Sequence, residues 1–131
     1  MTESIAKGID LGIVVTDGDA AVRFYTEVLG LKLEGSNPAG DGTMYRLSCG
    51  TSQLKLIAPN TPPAALPKAE LFGMVGYRYL TITVDDVDAA VARCEAAGHP
   101  AVISPRDLGP ARIAMVEDPD GNRVEFLHLS S

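Results

Sequence analysis

The chain contains an approximate internal repeat, and a repeat limits the fold to two copies of one structural unit. Residues 14–30 read VVTDGDAAVRFYTEVLG, and residues 83–99 read TVDDVDAAVARCEAAGH. In each copy a β-branched run ends in an aspartate, and apolar residues then recur at helical spacing. Each half therefore begins with a predicted strand and helix. The matching positions are Asp17 with Asp86, Asp19 with Asp88, Ala20 with Ala89, Ala21 with Ala90 and Val22 with Val91.

Both predicted helices carry boundary signals. Asp17 and Asp86 are predicted N-caps, because a short carboxylate accepts hydrogen bonds from the unpaired amides of a first helical turn. Gly30 and Gly98 suit the C-terminal ends of the helices. Three strand-like stretches follow each helix, so the sequence predicts βαβββ in each half. These stretches are LKLEG, TMYRLSC and QLKLIAP in the first half, and PAVISP, ARIAMVED and RVEFLHL in the second.

The 131 residues suit a single domain made of both halves. Its predicted parts are module one at 8–59, a linker at 60–76 and module two at 77–129. The linker is rich in Pro and Ala, yet its LFGMVG stretch is apolar for a loop. Two interpretations stay open: Phe72 and Met74 cap the core, or they form a lip over a ligand pocket.

Charge and composition narrow the classes of partner. The net charge is −6 and Lys and Arg are scattered, so no basic face is available to bind nucleic acid or an anionic membrane surface. No apolar run approaches the roughly 18 residues of a membrane span, and the start MTESIAKGID lacks the pattern of a signal peptide. We therefore expect a cytoplasmic protein whose partner is a small organic molecule.

Three motifs resemble those of the vicinal oxygen chelate superfamily, which includes glyoxalases, bleomycin resistance proteins and extradiol dioxygenases. They are FYTEVLGL at 24–31, TVDDVDAAVA at 83–92 and EDPDGNRVEFL at 117–127. The resemblance covers nearly the whole chain. It implies an α+β fold in which two βαβββ modules form an open cup-shaped mixed sheet, and it implies a homodimer. The fold hosts many activities, so the resemblance alone does not fix one.

In metal-dependent members of that superfamily, four strands each place one metal ligand in the cup. The resemblance puts those positions at Asp10, Lys55, Tyr79 and Glu125. Only Glu125 matches the usual residue. A protonated lysine has no lone pair to donate and repels a divalent cation. We therefore expect a site without metal or other cofactor.

Strand alternation gives Lys55 two orientations. Lys55 lines the cup together with Gln53 and Ile57, or it faces outward and Leu54 and Leu56 line the cup. We favour the first orientation, because a charge buried under the helices is costly. Only one of the neighbouring residues Tyr45 and Arg46 can enter the cup, and Tyr45 is the candidate. The predicted ligand-binding set is Asp10, Lys55, Tyr79, Glu125, Tyr45, Phe72 and Met74.

Three functions remain open, and the sequence does not decide whether the protein is an enzyme. The favoured one is binding of a small molecule in a metal-free cup. The alternative is a metal-independent isomerase, epimerase or lyase, in which Glu125 is the general base and Lys55 or Tyr79 stabilises a developing oxyanion. The third is a glyoxalase-like metalloenzyme. A purely structural ion-pair network of Lys55, Asp10 and Glu125 is the remaining interpretation.

Overall fold

The computed structural model describes residues 4–130. The chain divides into two compact units, of which the first ends at Pro63 and the second begins at Ala64. This boundary lies inside the predicted linker 60–76, which contains neither helix nor strand. Across the described residues, no helix combines the length and the apolar character needed to cross a membrane.

Unit one, the part of the chain up to Pro63, forms one four-stranded sheet and one helical element. Its elements are β1 Asp10–Val14, α1 Gly18–Arg23, a π-helical segment Phe24–Val28, β2 Lys32–Ala39, β3 Gly42–Cys49 and β4 Ser52–Ala58. The strand order is β1-β4-β3-β2. Strands β1 and β4 are parallel, and the other two pairs are antiparallel.

The start of α1 confirms the predicted N-cap. Asp17 has an extended backbone, and its Oδ1 accepts a hydrogen bond from the Ala20 N–H at 3.1 Å. This bond satisfies one of the amides that a first helical turn leaves unpaired. Gly30 follows the helical element with a φ of 82°, a left-handed conformation that glycine adopts without steric cost.

The sequence does not predict the π-helical segment that continues α1. There the Leu29 N–H donates to the Phe24 carbonyl five residues earlier, at 3.0 Å. The Thr26 hydroxyl also donates to the Val22 carbonyl at 2.7 Å. The wider turn accompanies the burial of two adjacent aromatic rings, Phe24 and Tyr25, which a regular helix would present in directions about 100° apart.

The core of unit one lies between the helical element and one face of the sheet. Phe24 and Tyr25 pack edge to face with ring centroids 5.0 Å apart, a favourable arrangement for aromatic pairs. Leu47 of β3 and Leu56 of β4 are fully buried. Burial of each such side chain contributes about 1.5–3 kcal/mol, so this face of the sheet holds the unit together.

Unit two repeats the arrangement. Its elements are β5 Tyr79–Thr83, α2 Val87–Ala96, β6 Ile103–Leu108, β7 Ala111–Glu117 and β8 Arg123–Leu129. The strand order is β5-β8-β7-β6, with β5 and β8 parallel. The predicted N-cap is again confirmed, because Asp86 Oδ1 accepts from the Ala89 N–H at 3.0 Å. Val91 and Cys94 of α2 are buried, as are Val124 and Phe126 of β8.

The predicted fold class is confirmed. Each unit has the order βαβββ, and the whole is α+β with two four-stranded mixed sheets. The strand boundaries differ in detail, since β2 runs to Ala39 and extends beyond the predicted LKLEG stretch. Its pairing with β3 shifts register between Leu33 and Gly35, an irregularity that alternation alone does not reveal.

Candidate functional site

Lys55 lies on the face of sheet one that points away from the helical element. Its neighbours Leu54 and Leu56 are buried on the opposite face. Alternation along β4 therefore puts Gln53, Lys55 and Ile57 together on the open face. This is the favoured one of the two orientations that the sequence allowed.

Asp10 reaches Lys55 from the neighbouring strand. In the parallel register, Asp10 is paired with Gln53 and Gly12 with Lys55. The Lys55 Nζ lies 3.6 Å from Asp10 Oδ2, and the two side chains are 36% and 49% exposed. An ion pair this exposed contributes only about 0–1 kcal/mol to stability. Both charged groups are accessible to a ligand, because each side chain is partly exposed.

Arg46 is the second cation on this face. It is paired with Lys55 in the antiparallel register of β3 and β4. Its Nε donates to Asn37 Oδ1 at 3.2 Å, and its guanidinium lies across Gly35, where a Cβ atom would collide with it. Close to Lys55, the open face of sheet one thus carries a second cation, Arg46, and the carboxylate of Asp10.

The structure reverses the choice between Tyr45 and Arg46. Tyr45 is paired with the buried Leu56 and lies on the helix-facing side of the sheet. A Cβ atom at Gly18, in the first turn of α1, would meet the Tyr45 ring at 3.0 Å. Tyr45 therefore does not share a face with Lys55. Arg46 could have been identified from its pairing with Lys55 across β3 and β4. The register of that pairing cannot be read from the sequence of either strand alone.

Glu125 lies on the corresponding open face of sheet two. It is paired with Thr81 in the parallel register of β5 and β8, and the Thr81 hydroxyl donates to Glu125 Oε1 at 2.8 Å. Tyr79 precedes Thr81 by two residues on the same face and is 46% exposed. Met115 of β7 is paired with Glu125 from the other side and is buried. Thr81 is the partner of Glu125 that the sequence analysis missed.

Phe72 and Met74 lie in the irregular segment between the last strand of unit one and the first of unit two. Phe72 is 85% exposed and Met74 is 40% exposed. Phe72 therefore does not cap the core. Arg78 contacts this segment, because its Nε donates to the Leu71 carbonyl at 2.9 Å.

The predicted site residues thus fall into two groups. Asp10 and Lys55 form an ion pair in unit one, and Glu125 lies with Tyr79 on one face of unit two. Taken unit by unit, residues 4–130 contain no cluster of three or more His, Cys, Asp or Glu side chains placed to hold a metal ion. In unit one the direct contact is between a cation, Lys55, and a carboxylate, Asp10. In unit two it is between a hydroxyl, Thr81, and a carboxylate, Glu125.

Two curated relatives match almost the full length of the chain. A lactoylglutathione lyase of Haemophilus influenzae is 32% identical over 124 residues, which cover 89% of this chain and 88% of the relative. A probable lactoylglutathione lyase of Synechocystis sp. is 28% identical over 123 residues, which cover 91% of this chain and 92% of the relative.

Solved structures share the fold over the same span. An antibiotic-binding protein from Streptomyces sp. CB03234 superposes with a TM-score of 0.74 at 25% identity, covering 98% of this chain and all of its own. A glyoxalase family protein from Bacillus cereus superposes with a TM-score of 0.84 at 22% identity, covering 98% and 97%. Residues 9–126 also match the family model described as Glyoxalase/Bleomycin resistance protein/Dioxygenase superfamily. By sequence and by fold, the chain belongs to this superfamily.

Proposed function

We propose that the protein binds a small polar organic molecule without a metal ion, using Lys55 as a built-in cation. The observation that carries this proposal is the ion pair of Lys55 with Asp10 on the open face of sheet one, at 3.6 Å. A partly exposed ammonium next to Arg46 favours an anionic or strongly polar group on the ligand. The helix-facing side of the same sheet supplies the rigid support.

The chemistry of these donors does not fit a divalent metal. The ammonium group of Lys55 has three N–H donors and no lone pair. It also forms an ion pair with Asp10, the other position of unit one that the resemblance compares with a metal ligand. Zinc, nickel, manganese and iron sites are built from His, Cys and carboxylate ligands. Lys55 and Asp10 would therefore bind the ligand without a metal.

The comparisons support binding as an activity of this fold. The similar Streptomyces protein is an antibiotic-binding protein and matches this chain over 98% of its length. The similar Haemophilus and Synechocystis proteins are named lactoylglutathione lyase and probable lactoylglutathione lyase. An enzymatic function is therefore the main alternative to binding alone.

Metal content tests the built-in cation. Untagged wild-type protein and the variants Lys55→Glu and Lys32→Glu are offered Zn, Ni, Mn and Fe, and bound metal is measured by elemental mass spectrometry. Lys32 is the matched control, since it is a highly exposed lysine on β2, an edge strand of the same sheet. We expect substoichiometric metal in the wild type and in Lys32→Glu, and higher zinc uptake in Lys55→Glu. One metal per wild-type chain would contradict the proposal.

Ligand binding tests the role of the ammonium directly. A library of small anionic and polar molecules is screened by thermal shift, and the strongest ligand is titrated by calorimetry. Lys55→Met should weaken its binding about 10-fold or more, since a hydrogen bond to a charged group contributes roughly 1.5–3 kcal/mol. Lys32→Met should leave the affinity unchanged. Equal affinities of all three proteins would remove Lys55 from the site.

The position of Glu125 supports a second candidate function, a metal-independent proton transfer at a carbon next to a carbonyl. The Thr81 hydroxyl orients its carboxylate at 2.8 Å, as a positioned general base requires. Glu125 would take a proton from the hydroxyl-bearing carbon next to the carbonyl and return it to the carbonyl carbon, while the proton of the substrate hydroxyl passes to the former carbonyl oxygen. The Tyr79 hydroxyl would donate a hydrogen bond to the oxyanion formed in between. No atom is gained or lost in this isomerisation.

Turnover separates this candidate from binding alone. A lactoylglutathione lyase assay is run on chelator-treated protein and on Glu125→Gln, with Glu34→Gln as the control for loss of one carboxylate elsewhere. Turnover that survives chelation and falls at least about 100-fold in Glu125→Gln, the scale of general acid–base catalysis, would establish it. Absence of turnover from both proteins would leave binding as the function.

A further inference from the structure

A cavity of about 410 Å³ lies within unit two, and none of its lining residues belongs to the proposed site in unit one. Its volume falls within the roughly 300–1,000 Å³ of small-molecule sites. The segment 66–69 forms one wall, and the turn at 120–122 with the start of β8 forms the other. The cavity therefore has two sides of different origin, one irregular and one anchored in the sheet.

Two arginines fix the irregular wall in place. Arg123 at the start of β8 donates from Nη2 to the Ala69 carbonyl at 2.6 Å. Arg78 donates from Nε to the Leu71 carbonyl at 2.9 Å and from Nη2 to the Glu70 carbonyl at 3.0 Å. Three bonds from charged donors hold this segment, although it has no regular secondary structure. The wall is thus preorganised without a ligand.

The lining of the cavity is cationic in a chain whose net charge is −6. Lys68, Arg78 and Arg123 face two carboxylates, Glu117 and Asp120, which leaves a local excess of one positive charge. Glu117 Oε2 lies 3.9 Å from Arg123 Nε. A guanidinium has five N–H donors, and the hydrogen bonds described above engage only some of them. The rest are available to a ligand carboxylate.

Part of the remaining lining is apolar. Leu66 and Pro67 line the irregular wall, and the Tyr77 ring, whose residue is 97% exposed, lies at the rim. Aromatic rings and aliphatic side chains at a pocket bind apolar parts of ligands, while a few charged groups fix orientation. This combination suits a molecule with one negative group and a compact apolar body.

We propose that the cavity of unit two is a second binding site, for a small organic carboxylate with an aromatic or aliphatic body. The carboxylate would pair with Lys68 and the two guanidinium groups, and the body would lie against Leu66 and Tyr77. None of these residues belongs to the proposed site at Lys55. Binding at the cavity can therefore be tested independently of binding at Lys55.

A titration followed by two-dimensional ¹⁵N NMR tests the cavity in the full chain. Benzoate is the probe, benzamide is its neutral counterpart of nearly equal shape, and inorganic phosphate is an anion without an apolar body. We expect saturable shifts of the Ala69, Tyr77 and Asn122 amides with benzoate. Benzamide and phosphate should each bind more weakly, since each lacks one of the two recognised features.

Two variants in exposed positions keep the test independent of folding. Lys68→Met should weaken benzoate binding about two- to fivefold, the scale of one partly exposed ion pair, and Tyr77→Ala should weaken it by a similar factor. Lys7→Met removes the same charge from an exposed position outside the cavity and should change nothing, and Lys55→Met should also leave these shifts unaltered.

Three outcomes with benzoate, benzamide and the lysine variants would overturn the proposal. They are the absence of saturable shifts at the cavity, equal binding of benzoate and benzamide, and equal effects of Lys68→Met and Lys7→Met. Phosphate binding as tight as benzoate would also contradict it, because the apolar body would then have no role.

Discussion

Lys55 and Leu56 are adjacent in the chain, yet the sheet gives them opposite tasks. Leu56 is fully buried against the helical element, whereas Lys55 lies on the open face beside Asp10. A single step along a strand reverses the direction of the side chain. Stability and the proposed recognition are therefore carried by alternate residues of β4, and substitutions at the two positions should have different consequences.

Leu56→Ala should lower the free energy of unfolding by about 2–5 kcal/mol, because the fully buried side chain leaves a cavity that the core cannot refill. Leu33→Ala is the matched control, since Leu33 on β2 of the same sheet is 44% exposed, and should cost less than about 1 kcal/mol. Urea denaturation followed by circular dichroism measures both values. Equal decreases in the free energy of unfolding for the two variants would mean that Leu56 of β4 is not a main core residue.

At the scale of elements, Arg112 joins α2 to two strands of sheet two. It lies on β7, donates from Nε and Nη2 to the two carboxylate oxygens of Asp88 at 2.8 and 2.9 Å, and donates from Nη1 to Asp107 of β6 at 3.0 Å. The hydrogen bonds from Arg112 hold the pKa of Asp88 below its ordinary value of 3.8. The first turn of α2 is therefore tied to the sheet by a charged fork.

The lowered pKa of Asp88 predicts a pH dependence of stability. Since the folded value lies below the unfolded one, the stabilisation is fully present above the ordinary value of 3.8 and is lost as the pH falls through the folded value. Asp88→Asn should therefore have a lower urea midpoint than the wild type at pH 7, and the difference should shrink at pH 3 and below.

The control for this prediction is Asp19→Asn. Asp19 occupies the equivalent position in the first turn of α1, so the substitution removes the same favourable charge near a helix N-terminus without touching Arg112. Its effect on the midpoint at pH 7 should be smaller than that of Asp88→Asn. An Asp88→Asn deficit that stays constant from pH 7 to pH 2 would show that the fork does not act through the Asp88 charge.

At the scale of the whole molecule, the chain is two copies of one unit, each with its own sheet, helix and core. Unit two also begins with a segment whose apolar residues remain exposed, notably Phe72 and Val75. Exposed apolar residues grouped in one segment are typical of surfaces that bind a partner. We therefore predict that this segment supports a homodimer.

Sedimentation equilibrium should therefore give a mass twice the 13.8 kDa of one chain. Because apolar contacts do not depend on charge, the dimer should persist from 0.1 to about 1 M NaCl, where surface charge interactions are screened. Phe72→Ser should weaken the association, and Ile5→Ser, at another highly exposed apolar residue, should not. A mass of one chain at all concentrations would contradict the prediction.

Much of the fold is readable from short stretches of the chain. The repeat predicts two βαβββ units, and Asp17 and Asp86 predict where both helices begin, because capping and side-chain periodicity act within a few residues. The orientation of Glu125 relative to Val124 and Phe126 follows from the same alternation. The resemblance added the four positions compared with metal ligands, and their joint role stays a prediction.

The tertiary structure decided whatever depends on residues far apart in sequence. Strand register chose Arg46 over Tyr45 as the companion of Lys55 and brought Thr81 to Glu125. The hydrogen bonds from Arg112 to Asp88 link β7 to α2, and the cavity lies between segment 66–69 and the turn before β8. No local sequence pattern connects these elements. Short-range preferences specify which elements form, but pairing and packing between elements are settled only when the chain folds, since their energies come from contacts that local sequence does not contain.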